Sequence, residues 1–381
     1  MRGRALLIGA GKVGRGFLGH LAFRSGCALT FIDANAQLVE LMRQRRGYHL
    51  HLLTTPPRDE TVSGINALGS DDPEVEAAGR EANVVFVSVG GPNLASAGTL
   101  LARVLTSRAE TPINVIVGEN WPKAADELRA ASGLPPSVGV AEATILRSCI
   151  EPTEAQRAAD PLSVQVQDFW ELPVDAEALV QPLPNIAGLV PTTHFENALQ
   201  RKVYTYNAIN ATIAYLGYHR GHALLADAAN DPAILGHAKG VMDEVDEAIC
   251  TTFGFDPEDQ RQYAVRALDK FRNPLIVDPI ERQVRDPIRK LGRHDRLVGA
   301  AMLALDAGIV PSELALSIAA ALRYHNSADP AAVGLAQLVD DLGPAGALAR
   351  IAGLEVESRL VELVMRRYDD VDSLIREQAA R

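Results

Sequence analysis

The side chains of this sequence whose types and spacing could do chemistry fall in two places, near the N-terminus and around residue 205. Gly9, Gly11 and Gly14 stand in GAGKVG, directly after the apolar run ALLI and at the head of a helical stretch. In that setting the first glycine permits a tight turn, the second lets the backbone approach a pyrophosphate, and the third lets helix pack close on strand. Asp33 closes the next apolar run, LTFID, about twenty residues further on, where a carboxylate accepts hydrogen bonds from ribose hydroxyls and repels a 2′-phosphate. The pattern predicts a dinucleotide site that prefers NAD to NADP. Gly90, after the run ANVVFVSV, falls at the carboxyl edge where open sheets bind ligands, and joins the candidate cofactor set. A glycine turn can join strand to helix without any ligand; the agreement of strand, helix and acid favours the site.

The second place is QRKVYTYNAINATIAYLGY, with Lys202, Asn207 and Asn210 at offsets of five and three. On an α-helix of ~3.6 residues per turn the first pair is about 140° apart and the second about 60°, so all three can rim one pocket. A lysine can serve as a general base if its surroundings lower its ordinary pKa of about 10.4, and amide groups can stabilise a developing oxyanion. Read without context, the same residues describe a solvated helix face.

These residues need elements to hold them. ALLIGA, LTFID, ANVVFVSV, NVIVGEN and VGVAEAT read as buried strands alternating with helical stretches at 17–25 and 38–45, the mark of a doubly wound parallel sheet. A further strand piece, LSVQVQDFWELPV, precedes a proline-rich stretch at 181–191. From Phe195 onward helical periodicity rich in alanine, leucine and glutamate takes over. The expected architecture is α/β: a Rossmann-type domain over 1–192, followed by a mainly α-helical domain over 193–381 that carries substrate and catalysis.

A formal charge of −11 excludes a general nucleic-acid binder, although a local cluster of cations could still hold an anionic substrate. No segment reaches the ~20 consecutive apolar residues of a membrane span, and the start lacks signal-peptide features, so a cytoplasmic location is expected. The three cysteines, Cys27, Cys149 and Cys250, stand far apart, and no metal site is expected.

GAGKVGRGFLG, GEN at 118–120, RKVYTYNAINATIAYLG with GHALLADAANDPAI, FRNPLIVDPIERQVRDPIRKLGRHDRL and LGPAGALARIAGL together resemble the polyol-specific long-chain dehydrogenases over nearly the whole chain. The resemblance implies NAD-dependent interconversion of a polyol, free or as an ester such as mannitol 1-phosphate, with its ketose, such as fructose 6-phosphate. It implies Lys202 as the general base and Asn207 and Asn120 as donors to the reacting oxygen. Asn210 stands where the family has a histidine; asparagine can hydrogen-bond a hydroxyl but cannot carry a proton. Arg282 and Lys290 match substrate-binding positions, and Arg289, with Arg285 and Arg293 beside it, makes the stretch cationic enough to suit a phosphate. His222, Glu142 and Arg147 match further family positions more weakly. The alternatives are a hydroxy-acid or phosphogluconate-type dehydrogenase and a non-catalytic nucleotide-binding regulator. The expected partner is a small molecule, with neither nucleic acid nor membrane; the sequence leaves the oligomeric state open.

Overall fold

The computed structural model describes residues 3–105, 108, 111–121 and 123–373. It consists of two compact units, Met1–Phe195 and Glu196–Arg381. The first is built on strands β1 (Arg4–Ile8), β2 (Ala28–Asp33), β3 (Gly47–Leu52), β4 (Arg58–Ser63), β5 (Asn66–Gly69), β6 (Val84–Val87), β7 (Ile113–Val117) and β8 (Val138–Glu142). Four short strands follow: β9 (Cys149–Ile150), β10 (Val164–Val166), β11 (Leu172–Asp175) and β12 (Leu189–Thr192). Six of the twelve form one parallel sheet in the order β5, β2, β1, β6, β7, β8. Strands such as VVFV and INVIV are buried along their whole length, as a sheet covered on both faces requires. Leu7, Phe31 and Phe86 point into one core, Leu6, Ile32 and Val85 into the other. Strand order reverses between β1 and β6, which opens a crevice beyond their carboxyl ends where such sheets bind ligands.

The five strands read from the sequence as the parallel sheet are present, but the stretch LSVQVQDFWELPV is not one strand. Val164–Val166 joins a four-stranded mixed sheet in the order β4, β3, β10, β9, whereas Leu172–Asp175 pairs with β12. The hairpin of β3 and β4 was not expected, although GYHLHL alternates buried Tyr48, Leu50 and Leu52 with outward residues. The proline-rich stretch 181–191 stays within the first unit.

The second unit is helical, and its starts are legible in the chain. Asp231, Asp256 and Asp329 each precede a proline, and each carboxylate accepts a backbone N–H of the helix it opens, at Ala233, Asp259 and Ala331. Proline at the first helical position loses no needed donor, so Asp-Pro is a doubly favourable start. The helix Ala208–His219 is buried from Ala208 to Gly217 and forms the centre of the unit. Among the described residues no helix is long and apolar enough to cross a membrane.

Candidate cofactor and catalytic sites

A cavity of about 900 Å³ opens at the carboxyl ends of the parallel strands in the first unit, lined by Gly9, Gly11, Asp33, Gly90 and other residues of the strand-end turns. Gly9 has φ +98°, and a Cβ there would stand 2.0 Å from the Ser88 carbonyl oxygen. A Cβ on Gly14 would stand 2.2 Å from the Gly9 carbonyl oxygen, so this glycine is needed for the turn to close on the helix that follows. Gly11 differs: a Cβ there would meet no protein atom within 4 Å, although the residue lines the cavity. The space it leaves suits a ligand pressed against the backbone, which is the fit a pyrophosphate asks for.

Asp33, at the end of β2, uses Oδ2 to accept the Ala10 N–H at 2.7 Å and Oδ1 to accept the Asn35 N–H at 2.8 Å. The carboxylate is thereby fixed beside the turn, and its remaining lone pairs can take ribose hydroxyls. Four further lining residues were not singled out in the sequence: Lys12, Asp71, Arg103 and Glu119. Lys12 lies inside the glycine motif itself and pairs with Glu151 at 2.6 Å. Glu119 precedes Asn120 in GEN and accepts the N–H groups of Val89 and Gly90, at 2.5 and 2.7 Å. It ties the turn after β6 to the loop after β7, and burial raises the pKa of its carboxyl. Asn120 itself is exposed beyond the end of β7.

Residues 195–219, all but the first belonging to the second unit, form one helical run that includes a π turn at Val203–Asn207. Lys202 is the residue before that turn and Asn207 its last. A turn closed by i to i+5 bonds winds more slowly than an α-helix, so the spacing that leaves the pair about 140° apart on an α-helix brings them nearer to one face here. Asn210 follows three residues later on regular helix. Lys202 is 9% exposed and Asn210 8%. Asn207 is partly exposed, and among the described residues neither its amide nor that of Asn210 has a side-chain hydrogen bond, so both are open to a ligand hydroxyl. Tyr206 packs edge-on against Tyr263 and Phe271, and Tyr204 lies against Gly299, so both rings build the core beneath the turn.

The cationic stretch sits on short helices at Ile280–Val284 and Pro287–Lys290, the first packed against Ala208–His219. Its arginines are not bare. Arg282 is paired with Asp278 at 2.8 Å, and Arg289 with Asp286 and Asp295 at 2.6 and 3.1 Å. Lys290 is buried, with Nζ donating to the carbonyl oxygens of Gln283 and Arg285 and lying 5.6 Å from the Tyr215 ring centre. Burial, reinforced by Arg296 and Arg289, pushes its amine down to about 7. His222 shares Asp231 with Arg220 at the start of the next helix. Arg147 is buried in the first unit over Trp170 and Phe17, where it serves packing. Among the described residues no group of three His, Cys, Asp or Glu could hold a metal ion.

Residues 3–188 match the model of the mannitol dehydrogenase Rossmann domain, and residues 194–378 that of the mannitol dehydrogenase C-terminal domain. A D-sorbitol dehydrogenase solved in substrate-free form superposes with a TM-score of 0.80 at 14% identity, covering 99% of this chain and 95% of that one. The Pseudomonas fluorescens mannitol 2-dehydrogenase, solved as a ternary complex with NAD and D-mannitol, superposes with a TM-score of 0.71 at 15% identity, covering 100% and 95%. At such identities the likeness is one of fold.

Proposed function

Because the chain belongs to the mannitol dehydrogenase family, we propose that it is an NAD-dependent dehydrogenase that interconverts a secondary alcohol of a polyol and the corresponding ketone. What supports this reading is the π turn at Val203–Asn207, directly after Lys202, with the amides of Asn207 and Asn210 free of side-chain hydrogen bonds among the described residues. Lys202 takes the hydroxyl proton. Asn207 and Asn210 donate to the same oxygen as negative charge gathers on it, an effect worth roughly 10² to 10³ in rate per donor. Bound NAD supplies the acceptor for the hydride leaving the carbinol carbon. Gly11 gives the pyrophosphate its close approach, and Asp33 holds the adenosine ribose and disfavours a 2′-phosphate.

Within the polyols a hexitol phosphate is the first candidate, as in mannitol 1-phosphate and fructose 6-phosphate. Its support is the cationic stretch: Asp278, Asp286 and Asp295 neutralise Arg282 and Arg289 in part and fix their guanidinium groups in place, while Arg285 and Arg293 are exposed and have no carboxylate partner among the described residues. Asn210 in place of a histidine removes a titrating group from beside the lysine, so proton release falls to Lys202 alone.

The test is an NADH-linked screen over mannitol 1-phosphate, fructose 6-phosphate, free hexitols, pentitols and their ketoses, and 3-hydroxy acids. Turnover of a polyol or its ester supports the reading. Turnover confined to hydroxy acids, or none with any compound, overturns it. Inorganic phosphate competing against the ester, with no effect on a free polyol, would identify the phosphate arm.

A further inference from the structure

We infer that Gln260 is a positioning residue for the lysine, one that holds the π turn in register from a neighbouring helix. The inference rests on the reading of Lys202 given above. Gln260 lies on the helix Pro257–Arg272 and is fully buried, an unusual place for a glutamine. Its amide is used from both ends. Oε1 accepts Arg201 Nε at 2.6 Å, while Nε2 donates to Thr205 Oγ1 at 3.1 Å and to Asp246 Oδ1 at 2.8 Å. Arg201 immediately precedes Lys202, and Thr205, also fully buried, is the middle residue of the π turn. One side chain therefore grips the chain on both sides of the lysine.

The rest of the cluster fixes that grip. Arg201 is 9% exposed, lies over the rings of Phe255 and Tyr263 at 4.5 and 4.2 Å, and stands 2.8 Å from Asp259. With both N–H groups donated and the oxygen accepting from a cation, the amide of Gln260 has one orientation and cannot flip without losing bonds. A π turn has a poorer intrinsic balance than the α turn it replaces and persists where the surroundings hold it. If the Gln260 bonds to Arg201 and Thr205 are removed, the segment can relax toward α geometry, in which Lys202 and Asn207 stand about 140° apart. Misplacements of about 1 Å at a reacting group cost ~10²-fold in rate. Local spacing carries no sign of this link, since Gln260 is 55 residues from Thr205.

The test uses the full-length enzyme and mannitol 1-phosphate with NAD, or the best polyol of the screen above. Gln260→Leu is expected to lower kcat by ~10 to 100-fold, with KM changed less than threefold and NAD affinity unchanged. Thr205→Val should lower kcat in the same direction, and Thr205→Ser, which keeps the hydroxyl, should restore most of it. In a Lys202→Ala background Gln260→Leu should have no further effect on the residual rate. Wild-type kcat in both Gln260→Leu and Thr205→Val overturns the inference, as does equal loss in Thr205→Ser and Thr205→Val, or a full additional loss in the Lys202→Ala background. Should Gln260→Leu fail to fold, the Thr205 pair decides alone. Lys202→Ala with near wild-type activity would instead sink the lysine reading, a result separable from any of these.

Discussion

Replacing Asp33 by alanine removes the carboxylate that would choose between NAD and NADP. The backbone cost falls on the glycine turn, because Ala10 N–H and Asn35 N–H both lose their acceptor. That damage is common to the two cofactors and cancels in the ratio of their kcat/KM values. What does not cancel has two parts. A charge-assisted hydrogen bond to the ribose is worth ~1.5 to 3 kcal/mol and is lost for NAD. Two like charges about 5 Å apart repel by about 3 kcal/mol at an effective dielectric near 20, and screening at this half-buried position leaves roughly half of that as a gain for NADP. Together the ratio of NAD to NADP efficiency should fall by about 10²- to 10³-fold, at ~1.4 kcal/mol per decade. Steady-state kinetics with each cofactor at saturating polyol, with Kd values from fluorescence quenching, measure it. A ratio that moves less than threefold would mean that Asp33 serves the turn alone and that cofactor choice lies elsewhere, with Asp71 and Arg103 of the same cavity next in line.

Two further outcomes follow from the packing and from a perturbed carboxyl. Gly11→Ala should leave Tm within about 2 °C, since its Cβ meets nothing of the protein, yet weaken NAD binding more than tenfold; Gly14→Ala should cost ~1 to 3 kcal/mol of stability because its Cβ meets the Gly9 carbonyl. Calorimetry and NAD titration of both variants check this, and equal Tm losses would contradict it. Glu244 accepts the N–H groups of Glu313 and Leu314 at the head of helix Ser312–Leu322, and burial pushes its carboxyl up to about 7. The folded state then keeps a proton that the unfolded chain has released, so this contribution to stability is full below pH about 4.5 and is lost as pH rises through about 7. Glu244→Gln should flatten the dependence of Tm on pH across that window; an unchanged slope would refute the assignment.

The first unit was legible because its strands are short, apolar and punctuated by glycine, and because Gly9 and Gly14 stand where a Cβ would strike backbone carbonyl oxygen. Period-two alternation in GYHLHL was readable as well, but two histidines and the arginine-rich flank hid it. In the second unit the helical periodicity was plain, whereas the π turn was not: no residue type specifies it, and what holds it comes from Gln260 on another helix. The same limit applied to the cations. Asp278 and Asp286, four and three residues before Arg282 and Arg289, were in view, but only the fold shows that their carboxylates reach the guanidinium groups. Local spacing reports what a segment can do; pairings between distant segments decide what it does.

The central claim is that Lys202 removes the hydroxyl proton, and the most direct measurement compares Lys202→Ala with the wild type in NAD-dependent oxidation of the polyol, with NAD affinity and Tm recorded on the same samples. Loss of ~10² to 10⁴ in kcat, with NAD Kd within twofold and Tm nearly unchanged, is the result this account predicts. A folded Lys202→Ala enzyme that binds NAD and turns over within a few-fold of wild type would contradict it.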